Sequence, residues 1–334
     1  MRIALFGCGR IGRVHADAIA SHPRAELAWV CDPMQDIARE LAAQHATSAT
    51  ADTAAVLADP TIDAVVIASS TPTHVDLLAR AVRSGKAVLC EKPIDLDIAR
   101  VDACWAEIGA AEPLVMVGFN RRFDSSIREV RDRIRAGEIG RLEQLAITSR
   151  DPAPPPAEYI AKSGGLFRDM TIHDLDLARF MLGEVVEVQA MGANLVEDYV
   201  EKCGDIDTAV VIMRSAGGAL CQIANSRHCA FGYDQRLEAF GSTGMLAVHN
   251  QLPTSVRYAG PGRTEAAGPY SGFFLERYGP TYRAELDHFI TAVEKGGPLE
   301  PGFADGRAAL VLANAADKSM RTGSAVPIAP APPL

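Results

Sequence analysis

The chain has no run of about 18 apolar residues in its 334, the length a membrane-spanning helix requires, so no span is expected. It has no excess of basic charge. Its 33 lysines and arginines stand against 42 acids, a formal net charge of −9, which argues against a nucleic-acid or anionic-membrane surface. The seven cysteines are an odd number without a Cys-x-x-Cys pair. That excludes a disulfide framework and the usual zinc spacings, and it leaves them as small core residues in a reducing cytoplasm. No metal is expected. Internal repeats and long low-complexity segments are missing too. The opening Met1-Arg2-Ile3-Ala4-Leu5-Phe6 is too short an apolar run for a signal peptide and reads as a first strand.

What is present is a folded globular chain: 48% of its residues are hydrophobic and 22% charged. Its length predicts two domains. Strand-like Arg2 to Phe6 is followed at once by Gly7-Cys8-Gly9-Arg10-Ile11-Gly12, then a helix over Arg13 to Ser21 and a strand over Ala25 to Cys31 that ends in Asp32. A glycine triplet of this spacing is weak alone, but between a strand and a helix, with an acid 20 residues past its last glycine, it forms a dinucleotide cradle. Gly7 makes the turn, Gly9 admits a pyrophosphate, and Gly12 lets helix and strand pack. Arg10 and Ile11, within the loop, count with the glycines as cofactor-binding, and the phosphates would lie at the N-terminus of the helix that follows, where free N–H groups point at them. Asp32 accepts the ribose hydroxyls and repels a 2′-phosphate, which favours NAD over NADP.

Helix and strand patterns keep alternating through Ile37–His45, Ala54–Ala58, Asp63–Ala68, Val75–Ser84, Ala87–Cys90, Ile98–Ala110 and Leu114–Phe119. This predicts a doubly wound parallel sheet with ligands at the strands' C-terminal ends. Ser70, Thr71, Pro72 and His74 lie at one such end, and Glu91-Lys92-Pro93 at another. A lysine there is ordinarily a solvent-facing charge; beside a nicotinamide it can hold a substrate hydroxyl and stabilise the alkoxide. A helix over Ser125 to Ala136 follows. Beyond Gly140, strands succeed one another without helices: Leu142–Arg150, Val185–Leu195, Asp207–Met213, Ala219–Ser226, Arg236–Phe240, then a last pair, Met245–His249 and Ser255–Tyr258. They predict an α+β second domain built on a large, mostly antiparallel open sheet, with closing helices over Glu285–Val293 and Gly306–Met320 and a Pro-rich tail from Val326. The boundary falls between residues 1–122 and 123–334. Apolar residues on the outward side of the long strands suggest cover by a partner subunit.

Within that second domain stands Gly164-Gly165-Leu166-Phe167-Arg168-Asp169-Met170-Thr171-Ile172-His173. Its apolar spacing is that of an amphipathic helix, on which Asp169 and His173, four apart, share a face. An acid and an imidazole facing one cleft can hold a hydroxyl and take its proton. The paired glycines would admit a ligand or cofactor closely. The plainer alternative is an acidic first turn that suits the helix dipole, with an ordinary histidine after it.

The Gly7–Gly12 loop, Glu91-Lys92-Pro93, and Gly164-Gly165 with Asp169 and His173 together resemble the Gfo/Idh/MocA oxidoreductases, over essentially the whole chain. Gly118-Phe119-Asn120-Arg121-Arg122-Phe123-Asp124, Ser149-Arg150-Asp151-Pro152, Asn225-Ser226-Arg227, Gly232-Tyr233-Asp234-Gln235-Arg236 and Phe273–Tyr278 are similar to the branch that oxidises myo-inositol to 2-keto-myo-inositol with NAD. The resemblance implies a catalytic trio: His173 as general base, Lys92 polarising the hydroxyl oxygen, Asp169 orienting substrate and lysine. It also implies substrate contacts from Asp151 and Tyr233, whose other readings are a turn acid before a proline and a strand aromatic. Arg122 either contacts cofactor or substrate or pairs with an acid. His228 stands where a polar amide is expected. A homotetramer formed through the C-terminal sheet and a cytoplasmic location complete the expectation. Two rival readings stay open: a dehydrogenase for another inositol isomer or a sugar, and a non-catalytic NAD-binding sensor.

Overall fold

A computed structural model describes residues 1–109 and 113–330, in two compact units, Met1–Phe123 with Gly279–Leu310 and Asp124–Tyr278 with Val311–Pro330. The first unit runs to Phe123 and takes up Gly279–Leu310 as well, so it is not one continuous stretch of sequence.

The first unit alternates β1 (Arg2–Phe6), α1 (Arg10–Ser21), β2 (Glu26–Cys31), α2 (Gln35–His45), β3 (Ser48–Thr50), α3 (Thr53–Ala58), β4 (Ala64–Ile67), α4 (His74–Arg83), β5 (Ala87–Glu91), α5 (Ile98–Ile108) and β6 (Val115–Gly118). The last residue expected in α5, Ala110, lies outside the described residues. The six strands form one parallel sheet in the order β3-β2-β1-β4-β5-β6, the doubly wound arrangement. Ile3, Leu5, Val66 and Leu89 point to a core shared with Ala16, Ile19 and Leu41 of the helices. The alternate set, Ala4, Val65, Ile67 and Val88, is just as buried, so both faces are covered. The reversal of strand order at β1 and β4 leaves a crevice at the strands' C-terminal ends, where Gly7, Ser69 and Glu91 sit.

In the second unit α6 (Ser125–Arg135), β7 (Leu142–Arg150), α7 (Ala157–Ser163), α8 (Ile172–Leu182), β8 (Val185–Ala193) and α9 (Asp198–Lys202) lead into β9 (Thr208–Ser215), β10 (Leu220–Ser226), β11 (Asp234–Gly241) and β12 (Gly244–Val248). A small hairpin follows, β13 (Arg257–Gly260) and β14 (Arg263–Ala267); α10 (Phe274–Lys295) and α11 (Phe303–Thr322) then belong to the first unit over Gly279–Leu310, and the rest of both helices, with β15 (Val326–Pro327), to the second. Seven strands run β12-β11-β7-β10-β9-β8-β15, antiparallel except for the parallel pair β7–β10. Inward residues such as Leu145, Val211, Ile223 and Leu237 pack under Leu175 and Met181 of α8 and Leu312 of α11. The outward set stays bare: Met191 is 75% exposed, and Val210, Ile212, Phe240 and Met245 are exposed too.

Three local expectations change. The strand near Tyr258 pairs with β14 and not with Met245–His249, because a tight turn at Gly262, with φ of +86°, closes a hairpin of its own. Helix α10 begins at Phe274, eleven residues before the expected Glu285, and runs through Pro280; burial of Tyr282, Leu286 and Phe289 outweighs the local cost of the proline. The Pro-rich tail adds a two-residue edge strand beside β8, a place where proline's missing N–H does no harm. No helix among the described residues is long and apolar enough to cross a membrane.

Candidate active site

In the first unit the chemistry gathers on loops after β1, β2, β4 and β5. Gly7 has a φ of +100°, and a Cβ there would come within 2.5 Å of the Ala68 carbonyl oxygen. A Cβ on Gly12 would come within 2.0 Å of the Gly7 carbonyl oxygen, so only glycine lets α1 start this close to the loop. A Cβ on Gly9 would meet nothing within 4 Å. Gly9 is the N-cap of α1 and supplies no capping side chain, so the main-chain N–H groups of Arg10 and Ile11 open the helix toward that space. Asp32 accepts the Cys8 N–H at 2.9 Å through Oδ2 and the Met34 N–H at 2.8 Å through Oδ1. Those two bonds fix its carboxylate beside the glycine turn, and each oxygen has a second lone pair for a ribose hydroxyl. This cradle fits a dinucleotide: an open main-chain anion site at a helix N-terminus with an oriented acid beside it.

Ser70, Thr71 and Pro72 form the short turn after β4 and are exposed or half-buried. His74 does something else. It is buried, with Nδ1 2.8 Å from the Pro93 carbonyl and Nε2 3.0 Å from the Ser69 carbonyl, so its ring ties two loops of the protein together. Glu91 is likewise turned inward, 2.8 Å from Nε2 of the buried His15, and its Oε2 accepts the Lys92 N–H at 3.3 Å. Lys92 follows, half-buried, and the Lys92–Pro93 bond is cis. Arg122 is buried and pairs with Asp305 at 3.0 Å, the acid-pairing alternative among its readings.

In the second unit Asp169 lies in a π-helical turn, Phe167–Thr171, and His173 in the first turn of α8. The wider turn breaks the α-helical register, so a spacing of four does not by itself stack the two side chains. Both are half-buried. Asp169 accepts the Tyr159 hydroxyl at 2.8 Å through Oδ1 and both terminal nitrogens of Arg227 at 3.4 Å through Oδ2. Below them, one residue past His173, Asp174 is fully buried. Its Oδ1 is 2.6 Å from the Ser149 hydroxyl, and its Oδ2 accepts the Asn225 side-chain N–H at 2.8 Å. The Thr171 hydroxyl donates to the same Asn225 at 2.7 Å. The head of α8 is thereby pinned to β7 and β10. Asp151 is half-buried just past β7, its N–H donating to the Ser226 carbonyl at 2.9 Å. Tyr233 is buried, its ring edge-on to Phe273 and Tyr278. The exposed His228 donates its N–H to the Ser226 hydroxyl.

The paired glycines have a different neighbour from the ligand expected. Gly165 has a φ of +84°, and a Cβ there would come within 2.9 Å of Asp205 Oδ1, so what approaches closely is the chain's own carboxylate. Arg227 and Asp205 carry no signal as site residues in the sequence: Arg227 closes Asn225-Ser226-Arg227, and tertiary contact is what sets it beside Asp169. Among the described residues no group of three or more histidines, cysteines and acids is placed to hold a metal ion. Burial pushes the Cys8 and Cys31 thiols each up to about 12, with the Asp32 charge adding to Cys8, which makes these two poor nucleophiles.

The family described as an oxidoreductase family with an NAD-binding Rossmann fold matches residues 1–119, and the GFO/IDH/MocA C-terminal domain matches residues 127–247. An inositol 2-dehydrogenase of Rhizobium meliloti is 46% identical over 332 residues, 98% of this chain and 99% of that protein. The crystal structure of a myo-inositol dehydrogenase from Corynebacterium glutamicum superimposes with a TM-score of 0.96 at 52% identity, covering 99% of both chains. A scyllo-inositol dehydrogenase from Lactobacillus casei, solved with NAD(H) and scyllo-inositol bound, gives a TM-score of 0.91 at 28% identity over 98% of each chain.

Proposed function

The chain belongs to the Gfo/Idh/MocA family and is an NAD-dependent oxidoreductase, and from that premise we propose that it oxidises myo-inositol to 2-keto-myo-inositol. The observation that carries this reading is the near-complete likeness to inositol dehydrogenases, joined to a lysine at the end of β5 and an acid and imidazole at the head of α8. Bound NAD supplies the acceptor for the hydride that leaves the carbinol carbon. His173 takes the hydroxyl proton as general base. The Lys92 ammonium donates to the same oxygen and stabilises the charge that grows there as its proton departs. Asp169 accepts a second hydrogen bond and orients substrate and lysine, while Asp151 and Tyr233 grip further ring hydroxyls. Gly7, Gly9, Gly12 and Asp32 hold the cofactor, with the turn Ser70–Pro72 beside it. His74 and Glu91 serve by holding the loops.

The second unit binds substrate and carries the oligomer interface. The bare apolar face of its sheet, with Met191, Ile212 and Phe240 exposed, is what a self-complementary contact would cover, and a homotetramer is the assembly proposed. Seven free thiols support a reducing cytoplasm as its compartment.

Initial rates of NAD and NADP reduction against myo-inositol, scyllo-inositol, D-chiro-inositol and glucose test the reading. Fast NAD reduction with myo-inositol best of the four is the expected result. A preference for scyllo-inositol, the ligand of the Lactobacillus casei neighbour, would move the substrate and keep the chemistry. No reaction with any of them despite NAD binding would leave a sensor. Light scattering showing a monomer at working concentration would dispose of the tetramer.

A further inference from the structure

Arg227 is the largest fully buried side chain among the described residues, 1% exposed. It lies between two acids, its terminal nitrogens both 3.4 Å from Asp169 Oδ2 and one of them 3.6 Å from Asp205 Oδ2. A guanidinium cannot shed its charge inside a protein, and taking it out of water costs several kcal/mol that a buried ion pair only repays. Packing alone therefore gives no reason for an arginine here; an apolar side chain would fill the space as well. The Nε atom has no hydrogen-bond partner, so the fork is not used in full. Its terminal nitrogens are aimed at Asp169, the acid the proposed reaction uses.

The surroundings are built to hold that fork still. The Arg227 N–H donates to the Asp207 carbonyl at 2.7 Å. Asp207 is itself fully buried, and its carboxylate accepts the N–H groups of Leu195, Val196 and Glu197. Asp205, the second counter-charge, accepts the Leu166 N–H at 2.9 Å through Oδ1. It reaches that position because Gly165 has no Cβ to block it. Tyr159 closes the other side of Asp169. The carboxylate at the head of the catalytic helix is thus gripped by a hydroxyl on one oxygen and a buried cation on the other.

We infer that Arg227 is a positioning residue for Asp169, holding that carboxylate oriented for the substrate while Asp205 balances the guanidinium from behind. The inference rests on the proposed role of Asp169 and assigns the buried arginine and the glycine pair a shared purpose. Lysine keeps the charge but, as a single point, cannot face two acids as the fork does.

A double-mutant cycle tests it in the full-length enzyme, with Arg227→Lys, Asp169→Asn and the pair. Arg227→Lys is expected to lower kcat about ten- to a hundredfold, with the KM for NAD and the NADH affinity by fluorescence titration unchanged. In the Asp169→Asn background the same change is expected to do nothing further, because it acts through the acid already removed. An equal loss in both backgrounds would mean a merely structural role and overturn the inference. So would wild-type turnover in Arg227→Lys beside an impaired Asp169→Asn, a result that leaves Asp169 in the reaction. Wild-type turnover in Asp169→Asn instead removes the acid from the mechanism and the positioning role with it. Should Arg227→Lys fail to fold, Asp205→Asn keeps the guanidinium and the Leu166 hydrogen bond. Its expected loss is about severalfold, again absent beside Asp169→Asn; a loss that persists there overturns the inference.

Discussion

The two glycine-bearing sites of this protein look alike in sequence and differ in what surrounds them. Around Gly7 and Gly12 the atoms that forbid a side chain are main-chain atoms, the carbonyls of Ala68 and Gly7. They belong to strands and turns only a few bonds from the motif or one strand away, and they cannot give way. Around Gly165 the forbidding atom is the end of a side chain, Asp205 Oδ1, delivered from a loop past α9. The first site is made of backbone and recognises a ligand with N–H groups; the second is made of side chains that hold one another. A backbone site tolerates almost no change of shape, whereas a side-chain site tolerates shape but not loss of charge.

The largest effects should fall on the acting groups. Lys92→Ala and His173→Ala are each expected to lower kcat about 10²- to 10⁴-fold while NADH titration finds cofactor affinity kept, and wild-type turnover in either would strike that residue from the mechanism. Next come the glycines, where the contrast itself is at stake. Gly12→Ala puts a Cβ 2.0 Å from a carbonyl oxygen and should raise the NAD dissociation constant about tenfold or more. Gly165→Ala should leave NAD binding alone and lower turnover and Tm, since a left-handed alanine costs about 1 kcal/mol and displaces Asp205. If both variants lose NAD affinity equally, the two sites do not differ as described. Asp32→Ala should be milder, weakening NAD by the worth of a charge-assisted hydrogen bond, about 1.5–3 kcal/mol, and relaxing discrimination against NADP. An unchanged ratio of kcat/KM for the two cofactors would end that assignment.

The smallest expected effect concerns stability alone. Glu285 in α10 is fully buried with neither carboxyl oxygen hydrogen-bonded. Burial, with the neighbouring Glu91 charge, pushes its carboxyl well above the ordinary range. The folded chain thus keeps a proton that the unfolded chain gives up near pH 4 to 5. Losing that proton favours the unfolded form, so stability falls as pH rises from the unfolded toward the folded value and is least above it. Glu285→Gln should therefore raise Tm by a few degrees at pH 8 and hardly at pH 5. Parallel Tm curves for the two proteins across that span would show that Glu285 does not stay protonated.

Much of the fold was legible because its signals are local. Apolar runs bounded by glycine and proline mark the parallel strands, and β7 runs over Leu142–Arg150 as expected, its burial alternating from Leu145 onward. The reading lost its hold where neighbours distant in sequence decide. Pro280 and Gly279 argue against a helix, yet buried faces carry α10 through them. The hairpin β13–β14 has polar, exposed strands without the apolar alternation that announces a half-buried strand. At the site, Asp169 and His173 stood out as chemistry-bearing types near paired glycines. The π turn between them has no sequence signature, because it is a response to packing.

The sequence by itself determined the class of the protein: a glycine cradle with an acid after β2, a lysine at a strand end, an acid and imidazole at a helix head, and alternating then consecutive strands. These follow from chain stiffness, side-chain period and functional-group chemistry, all of which act over a few residues. Tertiary structure alone decided that His74 and Glu91 turn inward to brace their loops. It also decided that Gly165 makes room for a carboxylate and that the guanidinium of Arg227 grips Asp169. Those outcomes depend on which charges are buried together, and a buried charge chooses its partner by distance in space, which no spacing along the chain records.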